Sequence, residues 1–222
     1  MVEINGKKII EKGYGFSNIA QSSKNTSSTL FDIGSLTKQF TAAAILKLEM
    51  QGKLSTDDYL TTYFDKVPSD KAMITIHDLL RHQSGLQSVV GGDYDPISQS
   101  KFIDTVMNSK LRFKPGTQFY YSNIGYSLLA MIIEKVSGQS YETYLYENLW
   151  KPAGMEMTGY SRPVFDKTKF AVGYGRDNQV WGKPTDKPWD KTAPYWHLIG
   201  NGGLLSTIED LYKWHKALLE DT

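Results

Sequence analysis

Two polar residues near the start of the chain have the types and spacing needed for nucleophilic catalysis. Ser35 and Lys38 stand three residues apart at a predicted helix start, so their side chains project from the same face. A serine hydroxyl attacks poorly until a base takes its proton, and a lysine serves as that base only where burial or neighbours lower its pKa. The spacing therefore predicts a hydroxyl nucleophile with an amine partner.

The residues after Ser35 predict the burial that Lys38 would need. Apolar residues from Phe40 onward fit a helix that runs from Ser35 to Met50 and is packed on most sides, and Gly52 supplies its C-terminal stop. The start of such a helix carries partial positive charge and free N–H groups, which stabilise an oxyanion. We expect the N–H of Ser35 to be one oxyanion donor.

A second polar cluster lies between a turn and a helix. Tyr121 and Asn123 follow the turn at residues 114–116 and precede an apolar helix that starts at Ile124. A phenol near a lysine ammonium loses its proton more easily and can pass protons to a leaving group, while an amide can orient a substrate carbonyl. The segment therefore predicts a proton shuttle and a substrate ligand.

Each of these patterns also occurs once elsewhere in the chain, where a structural role explains it. Ser98 and Lys101 lead into a helix, so a helix cap and a solvated lysine account for both. Tyr146 and Asn148 lie in an amphipathic segment as a core ring and a solvated amide. The same structural alternative, a packed aromatic residue, would be favoured for Tyr121 if it stood alone.

The composition excludes several other classes of protein. The 222 residues are 40% apolar and 22% charged, with a formal net charge of +1 and no cysteine. These values predict a soluble globular protein with no nucleic-acid partner, no membrane span, no disulfide and no thiolate nucleophile. We expect no cofactor and no metal site. Imidazoles with structural roles are expected at His77, His82 and His215.

The local patterns predict short strands at the N-terminus and helices through the middle of the chain. Residues 2–14 read as a hairpin around Asn5-Gly6, residues 17–29 as a solvated loop, and residues 161–200 as irregular loops and short strands. A capping box is predicted at Thr75 with Asp78. Further helices are predicted near residues 100–111, 124–136 and 141–149, and a last one from Thr207 or Ile208.

Several blocks, in this order, resemble the class C β-lactamase-like and penicillin-binding-protein-type serine hydrolases. They are FDIGSLTKQFTAAAILKLEMQGKLSTDD, ITIHDLLRHQSGL, FKPGTQFYYSNIGYSLLAMIIEKVSGQSYETYL and GNGGLLSTIEDLYKW. The resemblance implies an α+β fold in which a helical lobe packs on an antiparallel sheet. It makes the chain one β-lactamase-like domain, 1–222, with a hairpin and loop (1–34), a mainly helical lobe (35–160), and an irregular segment and final helix (161–222).

The same resemblance assigns roles to the four polar residues. It makes Ser35 the acylated nucleophile, Lys38 its partner base, Tyr121 the proton shuttle and Asn123 a substrate ligand. It implies acyl-enzyme chemistry on an amide, β-lactam or ester, and it leaves open which substrate is used. A location in the bacterial periplasm or outside the cell would fit such proteins. Residues 200–206 are expected either to line the cleft or to form a glycine-rich turn before the last helix.

The chain departs from the family pattern at both ends. The third motif of these proteins, Lys-Thr-Gly or His-x-Gly, is missing, and the spacing of residues 197–200 is wrong for it. The chain thus resembles a fragment that lacks the family's opening helix and C-terminal sheet strands. We expect either a homo-oligomer or a complementing C-terminal segment as partner. The alternative function is a catalytically incompetent fragment or a binding module.

Overall fold

The α+β class is confirmed by a computed structural model that describes residues 1–187, 189 and 194–219. Within these residues the chain forms seven α-helices and four two-stranded antiparallel sheets, with strand pairs β1-β2, β3-β4, β5-β8 and β6-β7. No helix in this described part of the chain has both the length and the apolar character needed to cross a membrane.

The strands are short and the helices carry most of the core. The strands are β1 (Val2–Ile4), β2 (Lys7–Ile10), β3 (Phe16–Asn18), β4 (Ser23–Lys24), β5 (Phe31–Asp32), β6 (Gly173–Tyr174), β7 (Val180–Gly182) and β8 (Leu205–Ser206). The α-helices are α1 (Thr37–Met50), α2 (Leu60–Tyr63), α3 (Ile76–Leu80), α4 (Gln99–Asn108), α5 (Asn123–Ser137), α6 (Tyr141–Leu145) and α7 (Ile208–Leu219).

The chain divides into two compact units. Unit 1 comprises Met1–Ile33, Trp150–Lys187 and Leu204–Thr222, and unit 2 comprises Gly34–Leu149 and Pro188–Gly203. Each unit draws on segments that are far apart in sequence. The assignment of the whole chain to one domain stays a prediction.

In unit 1 the predicted hairpin is confirmed, whereas part of the predicted loop is wrong. Asn5 and Gly6 have φ angles of 50° and 75°, the left-handed values of a tight turn between β1 and β2. Residues 17–29 were expected to be a loop, yet Phe16 pairs with Lys24 in the β3-β4 ladder. Backbone hydrogen bonds do not require apolar side chains, so a polar segment can pair when neighbouring chain supplies acceptors.

Unit 2 is built around α5, which packs against α1, α3 and α6. Every residue of α5 from Ile124 to Ile133 is buried, and α1 contributes buried residues on several sides, as its sequence predicts. Side chains cap the helices where the sequence indicates. Thr75 and Asp78 form the predicted capping box, and the Ser98 hydroxyl accepts a hydrogen bond from the Lys101 N–H at 3.3 Å.

The helix ends differ modestly from prediction. The segment predicted as one helix over residues 141–149 ends as an α-helix at Leu145 and continues as a π-helical turn, Tyr146–Trp150. Residues 161–200 contain the predicted short strands, β6 and β7, although positions 188 and 190–193 lie outside the described residues. The last helix starts as predicted, because the Thr207 hydroxyl accepts a hydrogen bond from the Asp210 N–H at 3.2 Å.

We expect Asp210→Ala to destabilise unit 1 by about 2–3 kcal/mol, because removing the carboxylate leaves buried hydrogen-bond donors without their acceptor. The Asp210 carboxylate is 1% exposed and accepts hydrogen bonds from the Met157 N–H at 2.6 Å and the Thr158 hydroxyl at 2.9 Å. Urea unfolding should measure the loss. Glu209→Ala, which removes the partly exposed neighbouring carboxylate and its hydrogen bond from the Ser27 hydroxyl at 2.7 Å, should cost about 1 kcal/mol or less. Equal losses for the two variants would contradict the argument.

Candidate active site

Ser35 lies in a short turn that runs directly into a buried helix. The turn, Gly34–Leu36, is 3₁₀-helical and α1 begins at the next residue. The Thr37 hydroxyl donates a hydrogen bond to the Gly34 carbonyl at 2.7 Å, which holds the turn closed. Ser35 itself is exposed. The chain therefore presents the Ser35 hydroxyl to solvent at the N-terminal end of a 14-residue helix.

Lys38 is buried and surrounded by uncharged hydrogen-bond acceptors. Only 6% of the residue is exposed. Its Nζ donates to Ser35 Oγ at 3.1 Å, to Asn123 Oδ1 at 2.9 Å and to the Asn201 carbonyl at 2.7 Å. These contacts use all three donors that an ammonium has, or two donors and a lone pair of a neutral amine. The amine is thus held against the hydroxyl that it would deprotonate.

Burial lowers the pKa of Lys38 below its ordinary value of 10.5. Interaction with the Tyr121 side chain and the negative charge of Asp93 act in the opposite direction and offset part of this effect. A lowered pKa increases the fraction of neutral amine at any pH below it, so Lys38 gains capacity as a base. The electrostatics agree with the role that the sequence predicts.

Tyr121 and Asn123 meet Lys38 from the segment that starts α5. The Lys38 Nζ lies 4.8 Å from the centroid of the Tyr121 ring, and Tyr121 is 40% exposed. Asn123 is the first residue of α5, whose cap is Ser122. All four residues predicted from the sequence therefore gather around one nitrogen atom. The second Ser-x-x-Lys pattern does not contribute, because Ser98 caps α4.

Asn201 is part of this arrangement and its contact was missed at the level of sequence. Its carbonyl accepts from Lys38, while its Nδ2 donates to Ser127 Oγ at 2.9 Å and to the His197 carbonyl at 2.8 Å. Gly200 precedes it with a φ of 83°, and a Cβ there would meet the Tyr126 carbonyl oxygen at 2.6 Å. The glycine-rich GNGG segment signals a tight turn, but a backbone acceptor leaves no side-chain signature.

His82 also approaches the site. Its ring stacks on the Tyr121 ring with centroids 4.3 Å apart and an interplanar angle of 29°. Its Nδ1 accepts a hydrogen bond from the Ser122 N–H at 3.1 Å. The expectation of a satisfied imidazole agrees with these contacts, although nothing in the sequence indicated that its partners are the neighbours of Lys38.

Comparison with known proteins identifies the family to which the chain belongs. A family model described as Beta-lactamase matches residues 1–222, and the chain therefore belongs to the β-lactamase family. Among curated relatives, the penicillin-binding protein PbpX of Bacillus subtilis is 33% identical over 220 residues, which cover 99% of this chain and 54% of that protein. The recognition made from the sequence is confirmed.

Solved structures agree with this assignment. The octameric penicillin-binding protein homologue from Pyrococcus abyssi has a TM-score of 0.79 and 35% identity, covering 98% of this chain and 51% of that chain. A β-lactamase/D-alanine carboxypeptidase from Yersinia pestis has a TM-score of 0.75 and 25% identity, covering 91% and 57%. The chain spans about half the length of the curated relatives that it matches.

We expect Asn123→Asp to raise the pKa of Lys38 by about 1–2 pH units, because a carboxylate would replace the neutral oxygen 2.9 Å from Nζ. NMR of protein labelled with ¹³C at lysine Cε should report the titration, assigned through Lys38→Met. The wild-type midpoint should lie below 10.5. Gln118→Glu, which adds the same charge at an exposed position, should leave the midpoint in place. A midpoint that is unchanged in Asn123→Asp would contradict the assigned contact.

Proposed function

We propose that this chain carries the acylation machinery of a serine hydrolase, with Ser35 as nucleophile and Lys38 as its base. The observation that supports this proposal most strongly is the hydrogen bond of 3.1 Å between Lys38 Nζ and Ser35 Oγ. A nucleophile and a base in direct contact, with the base oriented by further groups, have the arrangement required for covalent catalysis. Membership of the β-lactamase family supports the same class of reaction.

The proposed reaction proceeds through a serine ester. Ser35 Oγ attacks the carbonyl carbon of the substrate while its proton moves to the neutral amine of Lys38. Negative charge develops on the carbonyl oxygen, where the Ser35 N–H at the start of α1 is the proposed donor. The bond to the leaving group then breaks, and Tyr121 relays the proton from Lys38 to that group. Water next attacks the ester, releases the acid and restores the Ser35 hydroxyl.

Asn123 has two functions in this scheme. Its Oδ1 accepts from Lys38 at 2.9 Å, so the amide helps to fix the amine against Ser35. An amide held in this way directs its Nδ2 donors elsewhere, and we propose that they receive the carbonyl of the substrate acyl group. The substrate is an amide, a β-lactam or an ester. The similarity to a β-lactamase/D-alanine carboxypeptidase from Yersinia pestis supports a D-amino-acid peptide as one of these.

The alternative function is a binding module or an incompetent fragment with the same pocket. It keeps the contacts of Lys38 but turns over substrate slowly at best, because a site with one oxyanion donor fewer reacts about 10²–10³-fold more slowly. A partner, either a second copy of the chain or a separate segment, is part of this alternative. The exposed apolar side chains of the hairpin at Val2, Ile4 and Ile9 support such a partner. An octamer is described for the Pyrococcus abyssi homologue.

We expect a fluorophosphonate to form an adduct at Ser35, and Ser35→Ala to abolish it, because this hydroxyl accepts a hydrogen bond from the buried amine at 3.1 Å. Intact mass and peptide mapping would measure the product. Ser98→Ala provides the matched control, since Ser98 precedes a lysine at the same spacing but caps α4. The control should label at the wild-type rate. An adduct at Ser98, or none at Ser35, would refute the assignment of the nucleophile.

We expect Lys38→Arg to label about 10³-fold more slowly or not at all, because arginine keeps the charge but does not release a proton. The larger guanidinium also disturbs the contacts with Asn123 and Asn201. Stopped samples analysed by mass would give the rate, and the melting temperature would show whether the variant folds. Lys101→Arg is the control at the chance motif. Labelling of folded Lys38→Arg at a near-normal rate would mean that Lys38 acts only as a charge.

A further inference from the structure

His82 connects the loop after α3 to the segment that carries Tyr121 and Asn123. Its backbone carbonyl accepts from the Tyr120 N–H at 2.8 Å, and its Nδ1 accepts from the Ser122 N–H at 3.1 Å. The two donors, Tyr120 and Ser122, are the residues immediately before and after Tyr121. The His82 ring lies against the Tyr121 ring between these two attachment points. One residue thus holds the backbone on both sides of Tyr121 and also supports its side chain.

The backbone of His82 is itself constrained to this orientation. Its φ of 56° is in the left-handed region, which few non-glycine residues adopt, and histidine and asparagine are among them. The ring is half-buried and also contacts Tyr126, at 5.1 Å between centroids, and Phe119, edge-on at 5.8 Å. The imidazole therefore has one defined position, in which Nδ1 points at the backbone of Ser122.

We propose that His82 is a positioning residue, whose neutral imidazole holds the Tyr121–Asn123 segment against Lys38 and releases it on protonation. The release depends on whether Nδ1 of the imidazole can accept a hydrogen bond. A neutral ring with its hydrogen on Nε2 can accept at Nδ1, whereas the imidazolium has a hydrogen on both nitrogens and can accept at neither. Proton uptake therefore turns the Ser122 N–H contact into a clash of two donors. The role rests on the proposed function of Ser35 and Lys38.

The charges around His82 favour the neutral ring. Burial lowers its pKa below the ordinary 6.5, and the positive charge of Lys38 on α1 lowers it further. The titratable groups that face the ring are the Tyr121 phenol from the loop and the Tyr126 phenol from α5, whose hydroxyl donates to the Leu80 carbonyl at 3.0 Å. Arg81, beside it in sequence, is exposed. Protonation, and with it loss of activity, is thus expected on the acidic side of 6.5.

The pH dependence of Ser35 labelling distinguishes this role from simple packing. Below the pKa of Lys38, loss of neutral amine gives log rate a slope of about 1 against pH. For the wild-type protein, the slope of log rate against pH should rise to about 2 below the pKa of His82, because a second proton then blocks the reaction. His82→Asn should keep a slope of about 1 throughout, since its amide oxygen can replace Nδ1, tolerates the left-handed backbone and does not titrate.

Two further variants complete the experiment. His82→Leu lacks the acceptor and should label about 10- to 100-fold more slowly than wild type at pH near 8, whereas His82→Asn should lose less than about tenfold. His77→Asn, the same change at an exposed histidine of α3, should keep the wild-type slope of about 2 at acidic pH. Melting temperatures report folding for each variant.

A second measurement does not depend on activity. The ¹⁵N spectrum of the imidazoles should show His82 with its hydrogen on Nε2, assigned among the four histidines by its loss in His82→Asn. A hydrogen on Nδ1 would overturn the inference. So would a slope of about 1 in wild type when Ser35 is labelled, and this result would leave the proposed function standing. Absence of any Ser35 adduct would refute the proposed function itself.

Discussion

The burial of one amine among uncharged oxygens is the constraint on which the rest of unit 2 depends. Lys38 Nζ is hydrogen-bonded to a side chain of the turn before α1, to a side chain at the start of α5 and to the backbone carbonyl of Asn201. A buried amine whose acceptors were missing would be strongly unfavourable, so each of these elements must be in place for the others to be stable there. The chemistry of the site and the stability of its surroundings therefore have the same origin.

The turn that supplies the backbone acceptor is itself fixed by other helices. Thr41 of α1 donates to the Gly200 carbonyl at 2.7 Å, and Ser127 of α5 donates to the Ile199 carbonyl at 2.8 Å. These hydroxyls are buried, and they bond to carbonyls of a turn that lies outside the helices and sheets. The two longest helices thus present both Lys38 and Asn123, the proposed catalytic groups, and the hydroxyls that hold the loop against them.

The sequence predicts what local chemistry determines and misses what distant contacts determine. The pair Ser35 and Lys38 follows from helical spacing and the apolar residues after it, and the cap at Thr75 from a side chain that bonds nearby N–H groups. The pairing of Phe16 with Lys24 uses backbone groups, so polar side chains gave no indication of it. Asn201 meets Lys38 across 163 positions through a carbonyl that every residue type possesses.

Gly200 also limits how this protein can change over generations. Any residue with a Cβ would come within 2.6 Å of both the Ala130 methyl group and the Tyr126 carbonyl oxygen. Every substitution of this glycine adds a Cβ, so no substitution at the position is expected to be neutral. Substitutions that persist in this protein are therefore expected at exposed loop positions rather than at Gly200.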